Sequence, residues 1–235
     1  MSMDQSRSPI GMLILDTSFE RIPGDAGSAL TWDFPVIYRT IRNADALRVI
    51  DGEASGLLND LITAGQELVT QGCAAVSTTC GFLALYQEQL SDALPVPVAT
   101  SSILQVPLVD RILPSQKTVG VITMDAARLT SRHMAAAGVR HAVAIEGLPR
   151  DGVFWNMIAN NTPADPQVLM QEVLDAGERL VARHPEIGAF VLECTNMPPY
   201  SSCLAAHFGI PVFDILTLVK WLAEAVAPHN YLAER

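Results

Sequence analysis

Charged and aromatic residues are scarce in this sequence of 235 residues: 17% of them are charged and 6% are aromatic. Hydrophobic residues make up 49%, which predicts a compact protein with a substantial core and argues against disorder. The formal net charge is −10, and the sequence contains no block of Lys and Arg that could follow a phosphate backbone. We therefore expect no nucleic-acid partner.

Long apolar runs are also missing from the sequence. None reaches the roughly 20 residues that a membrane-spanning helix needs. The first ten residues, "MSMDQSRSPI", lack the basic start and apolar core of a signal peptide. These absences predict a cytoplasmic protein without a membrane partner.

Cysteine and histidine are too few and too scattered for a disulfide framework or a metal site. None of the four cysteines forms a CxxC pair, and the five histidines lack the spacing of metal ligands. We therefore expect free thiols and no metal or organic cofactor. The cysteines are Cys73, Cys80, Cys194 and Cys203.

What the sequence does contain is a regular alternation of short apolar runs with longer helical patterns. "IGMLIL" and "TVGVIT" are typical of buried strands, "SGLLNDLITAGQELVTQG" and "GFLALYQEQLSDAL" of helices, and "GLPRDGVFWN" of irregular structure. Such alternation predicts an α/β fold with parallel sheets covered by helices. The internal repeat and the family resemblance described below add the expectation of two Rossmann-like, pseudo-symmetric lobes with the active site in the cleft between them. Lobe 1 would comprise residues 1–100, completed by 211–235, and lobe 2 residues 101–210.

Two of the cysteines occupy matching places in the two halves. "AAVSTTC" ends at Cys80 and "GAFVLEC" ends at Cys194, and each segment precedes a helical pattern and then an "LPVPV" or "IPVFD" strand. This internal repeat puts both thiols at carboxyl ends of strands, where ligands bind in open α/β sheets. If the lobes face each other, both thiols face one cleft.

The segments "TTCGF" and "ECTNM", with "GMLILDT" and "VGVITM", resemble the aspartate/glutamate/hydantoin racemase superfamily over most of the chain. The resemblance implies two pseudo-symmetric α/β lobes, no cofactor, and one catalytic cysteine in each lobe. The sequence departs from glutamate racemases, which have Cys-Asn-Thr at the first cysteine and Asp-Ser-Gly after the first strand. Here Gly81 and Phe82 follow Cys80, and Thr17 and Ser18 follow Asp16, so a strict glutamate racemase is not expected.

Inverting a carbon next to a carboxylate requires one group that removes a proton and another that delivers one to the opposite face. We therefore expect Cys80 and Cys194 to be the catalytic pair. Each lies at the start of a helical pattern, whose free N–H groups lower a thiol pKa and hold a carboxylate. Cys73 and Cys203 are expected to be packing residues.

Polar and aromatic residues near the two cysteines are candidates for substrate binding. Thr79, Thr195 and Asn196 adjoin the cysteines and are equally suited to cap helices. Glu193 would raise the pKa of Cys194 if it pointed inward, but we expect it to point away. The turn-rich segment 16–33 is expected to cover the cleft. The candidates for substrate binding are Asp16, Thr79, Gly81, Phe82, Thr123, Thr195 and Asn196.

The sequence thus predicts a racemase or epimerase that needs no pyridoxal phosphate. Its substrate would be a small carboxylate, either an amino acid similar to Asp or Glu or a derivative, and the resemblance suggests a homo-oligomer. A hydantoin or allantoin racemase and a maleate isomerase-like enzyme, in which one thiol adds to a double bond, stay open. Cys80 counts against an arylmalonate decarboxylase-like reaction, which needs only the second cysteine. A two-lobed protein that binds a small ligand without changing it is the alternative of another class.

Overall fold

The computed structural model describes residues 8–42 and 44–229, and two parallel sheets organise them. The first sheet has the order β2-β1-β3-β4. Its central strands β1 and β3 are almost wholly buried, as expected for strands covered on both faces. Its strands are β1 (Ile10–Leu15), β2 (Val36–Ile41), β3 (Ala75–Thr78) and β4 (Val98–Ala99).

The second sheet repeats this arrangement in the order β6-β5-β7-β8, and its strands are likewise parallel. The two orders become identical when the strand numbers are shifted by four. The α/β fold predicted from the alternating pattern and the two lobes predicted from the internal repeat are therefore confirmed. The strands are β5 (Thr118–Thr123), β6 (Ala144–Gly147), β7 (Ile187–Leu192) and β8 (Val212–Phe213).

Helices cover the sheets and present apolar residues to them. Helix α2 shows the principle, because Leu61, Ala64 and Leu68 lie on one face and are buried. Asp45, Asp165 and Asp214 cap α1, α7 and α9 by accepting N–H groups of the first turn. The α-helices are α1 (Ala46–Asp51), α2 (Leu58–Thr70), α3 (Gln87–Ala93), α4 (Val106–Ile112), α5 (Ser131–Ala136), α6 (Val153–Asn160), α7 (Pro166–Arg183), α8 (Ser201–Phe208) and α9 (Ile215–Val226).

One local prediction was refined and one was wrong. The helix predicted after Cys80 is present, but its first part (Gly81–Tyr86) is a 3₁₀ helix and it becomes α-helical only at α3. The segment predicted to be irregular contains the start of α6. The carboxylate of Glu172 accepts the N–H groups of Val153 and Phe154 at 2.6 and 2.8 Å, so a residue of α7 caps α6 in place of a local side chain.

The C-terminal part of the chain connects the two lobes. Strand β8 pairs with β7 in the second sheet, whereas α9 packs its Ile215, Val219 and Leu222 onto Ile10 and Met12 of the first. The crossing therefore lies between Phe213 and Ile215. The predicted lobe boundaries at residues 100 and 210 stay a prediction.

The structure also bears on membrane insertion. None of the helices within residues 8–42 and 44–229 has the length and apolar character needed to cross a bilayer.

Candidate active site

The two thiols face one small pocket between the lobes. Cys80 follows β3 and Cys194 follows β7, so each lies just beyond the carboxyl end of a central strand. The cavity between them has a volume of about 30 Å³, room for a single water molecule. Its walls are mostly apolar. They comprise Leu15, Thr17, Phe19, Arg21, Ala46, Ile50, Thr79, Cys80, Gly81, Phe82, Met124, Ile158, Glu193, Cys194, Thr195 and Asn196.

Most of the predicted substrate-binding residues lie in this wall: Thr79, Gly81, Phe82, Thr195 and Asn196. Two of the candidates do not. Asp16 is exposed and lines grooves on the outer surface, because the chain turns away after β1. Thr123 is fully buried behind the wall, where its hydroxyl donates to Glu193.

Both thiols are held neutral, contrary to the expectation from helix starts. Burial and, to a smaller extent, the Glu193 carboxylate raise the pKa of Cys80 to about 12. Burial and then Glu193 also raise the pKa of Cys194. The predicted N–H donors are present and lower the thiol pKa values. The N–H groups of Phe82 and Leu83 act on Cys80, and the N–H group of Asn196 acts on Cys194. Burial of the sulfurs raises the thiol pKa values by more than these N–H groups lower them.

Glu193 points into the site, so the expectation that it points away was wrong. Its side chain is fully buried, and Oε2 accepts the Thr123 hydroxyl at 2.7 Å. Burial raises the pKa of Glu193 to about 7, although Thr123 and the N–H of Met124 oppose the rise. Within the described part of the chain, Glu193 Oε1 has no hydrogen-bond partner.

A hydrogen-bonded chain runs from segment 16–33 to Cys194. Asp25 is 3% exposed, and its Oδ2 accepts the Asn196 amide at 2.5 Å. The Cys194 thiol donates to Asn196 Oδ1 at 3.5 Å. Arg21 donates to Asp25 Oδ1 and to Thr17 Oγ1, both at 2.8 Å. Segment 16–33 therefore orients the amide that contacts the second thiol.

Further hydrogen bonds join the lobes directly beside the thiols. Thr195 Oγ1 of lobe 2 donates to the Thr79 carbonyl of lobe 1 at 2.7 Å. The N–H of Ala26 donates to the Thr195 carbonyl at 3.2 Å. Thr79 Oγ1 is buried and, among the residues that the structure describes, has no partner. Thr195 thus has a structural role, while Thr79 leaves a hydroxyl available to a ligand.

The residues present do not suggest a resident metal. Across residues 8–42 and 44–229, no group of three or more His, Cys, Asp and Glu side chains is arranged to hold one. The expectation that no cofactor is required stays a prediction.

Sequence reasoning missed Arg21 and Asp25. Both lie in the segment predicted to cover the cleft, but the sequence places no apolar pattern or motif around them. An Asp four residues after an Arg is compatible with an ion pair, yet nothing local indicates that Asp25 would reach Asn196, 171 residues away in the chain.

Comparison with known proteins gives relatives by sequence and by structure. No family model matches the chain. The chain is 24% identical over 214 residues to a dimethylsulfoniopropionate lyase of Durusdinium sp. clade D, covering 88% of this chain and 71% of the relative. It is 24% identical over 249 residues to dimethylsulfoniopropionate lyase 5 of Emiliania huxleyi (strain CCMP1516). That match covers 95% of this chain, which spans 46% of the length of the relative.

The solved structures that it resembles have the same two-lobed architecture. An arylmalonate decarboxylase superposes with a TM-score of 0.64 at 19% identity, covering 94% of this chain and 93% of the other. Allantoin racemase from Klebsiella pneumoniae gives 0.61 at 14% identity, covering 96% and 92%. The aspartate racemase of Picrophilus torridus gives 0.54 at 16% identity, covering 93% and 92%. The resemblance inferred from the cysteine segments is thereby confirmed at the level of architecture: the chain has the fold of the aspartate/glutamate/hydantoin racemase superfamily.

Proposed function

We propose that this protein is a cofactor-independent racemase or epimerase of a small carboxylate. Cys80 and Cys194 act as the two acid–base residues on opposite sides of the substrate. One observation carries the proposal: two cysteines at equivalent strand ends of two similarly built lobes line the same pocket.

The pocket supplies what removal of an α proton requires. A thiolate on one side takes the proton, the electron pair moves onto the carboxylate, and a thiol on the other side returns a proton to carbon. The N–H groups that point at the sulfurs favour the thiolate when it forms. The apolar walls exclude water, so electrostatic contacts inside the pocket are strong.

Arg21 is the residue that we assign to the substrate carboxylate. Arg21 lines the pocket, and its side chain is 12% exposed. Two of its donors contact Asp25 and Thr17, and a guanidinium has five, which leaves capacity for a carboxylate. Arg21 also lowers the pKa of Cys80 against the larger effect of burial. A substrate must displace segment 16–33 or part the lobes, since the cavity holds only about 30 Å³.

Elimination is the second candidate, and the sequence relatives favour it, because they are named dimethylsulfoniopropionate lyases. That compound is a carboxylate with a sulfonium group on the β carbon. Its elimination begins with the same α-proton removal; the C–S bond then breaks and releases dimethyl sulfide and acrylate. One basic thiol is sufficient for this route, so the second thiol would be free to act as a proton donor.

The test is proton NMR in deuterated water with a reductant present. The panel contains both enantiomers of Asp, Glu and other amino acids, hydantoins, allantoin, maleate and dimethylsulfoniopropionate. Loss of an α-proton signal supports racemisation, vinyl signals of acrylate support elimination, and conversion of the vinyl signal of maleate supports cis–trans isomerisation. Silence with every compound, together with a compound that raises the melting temperature, would favour the binding protein.

Variants assign the chemistry to the thiols. Cys80→Ser and Cys194→Ser should each abolish the signal change. Cys203→Ser is the matched control, because Cys203 lies in α8 and outside the pocket wall. Full turnover by both single variants would reject the proposal. Homo-oligomerisation and a cytoplasmic location stay predictions from the sequence.

A further inference from the structure

Glu193 lines the same pocket as the two thiols, and the proposed reaction assigns it no role. It follows β7, and its N–H donates to the Ile122 carbonyl of β5 at 2.8 Å. Its side chain extends toward the opposite lobe. A Cβ added to Gly81 would overlap both the carbonyl oxygen and Oε1 of Glu193. Glycine at position 81 therefore leaves the space in which this carboxyl group lies.

The two oxygens of the carboxyl group have different surroundings. Oε2 accepts from the Thr123 hydroxyl, which in turn accepts the N–H of Asp125 at 3.4 Å. Oε1 is buried and without a partner among the described residues, as is the nearby pocket hydroxyl of Thr79. A proton on the carboxyl group therefore belongs on Oε1, because Oε2 is already an acceptor. Glu193 Oε1 and Thr79 Oγ1 are therefore two polar atoms of one pocket that are available to bind a ligand.

The surroundings also keep the acid neutral up to about neutral pH. Burial raises the pKa of Glu193 to about 7. The titratable or charged groups that share its pocket are the thiols Cys80 and Cys194 and the guanidinium of Arg21. Both thiols are neutral at this pH, and Arg21 contacts Asp25 and Thr17. Glu193 therefore lacks a close cationic partner within the described residues and can be a neutral donor.

We propose that Glu193 is a third catalytic residue, a carboxylic acid whose Oε1–H donates a hydrogen bond to the substrate carboxylate as that group becomes more negative. This inference rests on the proposed function. The step proceeds from the small fraction of protein in which one thiol is ionised: the α C–H bond breaks, its proton passes to that thiolate sulfur, and the electron pair moves onto the carboxylate oxygens. Glu193 keeps its proton and stabilises the charge. In a site that excludes water, a hydrogen-bond donor directed at the charge that develops in the transition state raises the rate about 10²- to 10³-fold.

The role can be tested on the whole chain without knowledge of the substrate. The probe is the nitronate anion of 1-nitropropane, added fresh at about pH 6, below the Glu193 pKa of about 7. It has the planar α carbon of α-deprotonated butyrate, and its two oxygens share one negative charge. Binding is measured by calorimetry for the wild type, Glu193→Gln and Glu193→Leu. Gln retains an N–H donor, whereas Leu has a similar volume and none.

We expect Glu193→Leu to bind the nitronate about 100-fold more weakly than wild type, and Glu193→Gln to be intermediate. Asp214→Asn is the control. Asp214 is also a buried acid with a raised pKa, but it caps α9 outside the pocket, and its variant should bind as wild type does. Equal binding by wild type and Glu193→Leu, or no binding by wild type, would overturn the role.

Infrared spectroscopy supplies an independent measurement on variants that fold. The difference between wild type and Glu193→Gln should contain the C=O band of one neutral carboxylic acid below about pH 7. Absence of that band would overturn the inference even if Glu193→Leu does not fold. If no compound of the NMR panel exchanges its α proton but nitronate binding depends on Glu193, the proposed reaction fails while the donor role stands.

Discussion

Replacing Asp25 with Ala should destabilise the protein strongly and free the second thiol from its amide partner. The carboxylate accepts from Arg21 at 2.8 Å, from the N–H of Gly27 at 2.7 Å and from Asn196 at 2.5 Å. The side chains of Asp25 and Arg21 are 5% and 12% exposed. The substitution therefore leaves a largely buried guanidinium and an amide without their acceptor.

The magnitude follows from the burial of this pair. Removing one partner of a buried ion pair costs about 3–5 kcal/mol. In a chain of this size, 1 kcal/mol lowers the melting temperature by about 2–4 °C, so Asp25→Ala should lower it by about 6–20 °C. Urea denaturation at neutral pH measures the free energy of unfolding directly.

The control is Arg21→Met, alone and combined with Asp25→Ala. Arg21→Met should cost only about 1–3 kcal/mol, because the Asp25 carboxylate keeps its contacts with Gly27 and Asn196. The double variant should lose at least about 1 kcal/mol less than the sum of the single losses. An unfolding free energy of Asp25→Ala within about 1 kcal/mol of wild type would refute the assigned role of the pair.

Further predictions concern the thiols, the buried acid and the glycine beside it. Cys80 and Cys203 are both partly exposed, but the pKa values of Cys80 (about 12) and Cys194 are raised, so iodoacetamide at about pH 7.5 should label Cys203 first. Peptide mass spectrometry showing either pocket cysteine labelled first would contradict this. Folding raises the pKa of Glu193 from 4.5 to about 7. Protonated Glu193 therefore contributes about 3 kcal/mol to the free energy of unfolding below about pH 4.5. This contribution is lost as the pH rises through about 7. Urea titrations should show this fall in wild type and a correspondingly flatter curve in Glu193→Gln; parallel curves would contradict the raised pKa. Gly81→Ala should cost about 1–3 kcal/mol in thermal unfolding, since the added methyl group overlaps the Glu193 carbonyl oxygen, which belongs to the backbone; an unchanged melting temperature would show that the lobes separate at little cost.

Much of the architecture could be predicted because it depends on local pattern. The strand Ile187–Leu192 is apolar at every position and buried at every position, so its identity follows from composition. The placement of the thiols follows from topology, because parallel strands put their carboxyl ends at one edge. Helix α6 could not be predicted, since a carboxylate from α7 caps it.

The finer features of the site depend on long-range packing. Asp16 was a reasonable candidate at a strand end, but the chain turns outward there and Asp25 lies against Asn196 instead. The N–H donors beside the cysteines were predicted correctly. Their effect on the thiol pKa was not, because the extent of burial is a property of the assembled lobes. The orientation of Glu193 depends equally on a glycine in the other lobe.

The matching strand orders of the two sheets have a consequence for the direction of turnover. Each lobe supplies one thiol from an equivalent strand end, and one thiol from each side would suit the proposed reaction, whose substrate and product are mirror images. Glu193 adjoins only the second cysteine in sequence, and the Asp25–Asn196 contact also serves that side. The two faces of a bound substrate would therefore have different surroundings. An equilibrium constant of one between enantiomers fixes only the ratio of kcat/KM values, so the two directions of a racemisation here should differ in kcat and KM while their kcat/KM values agree.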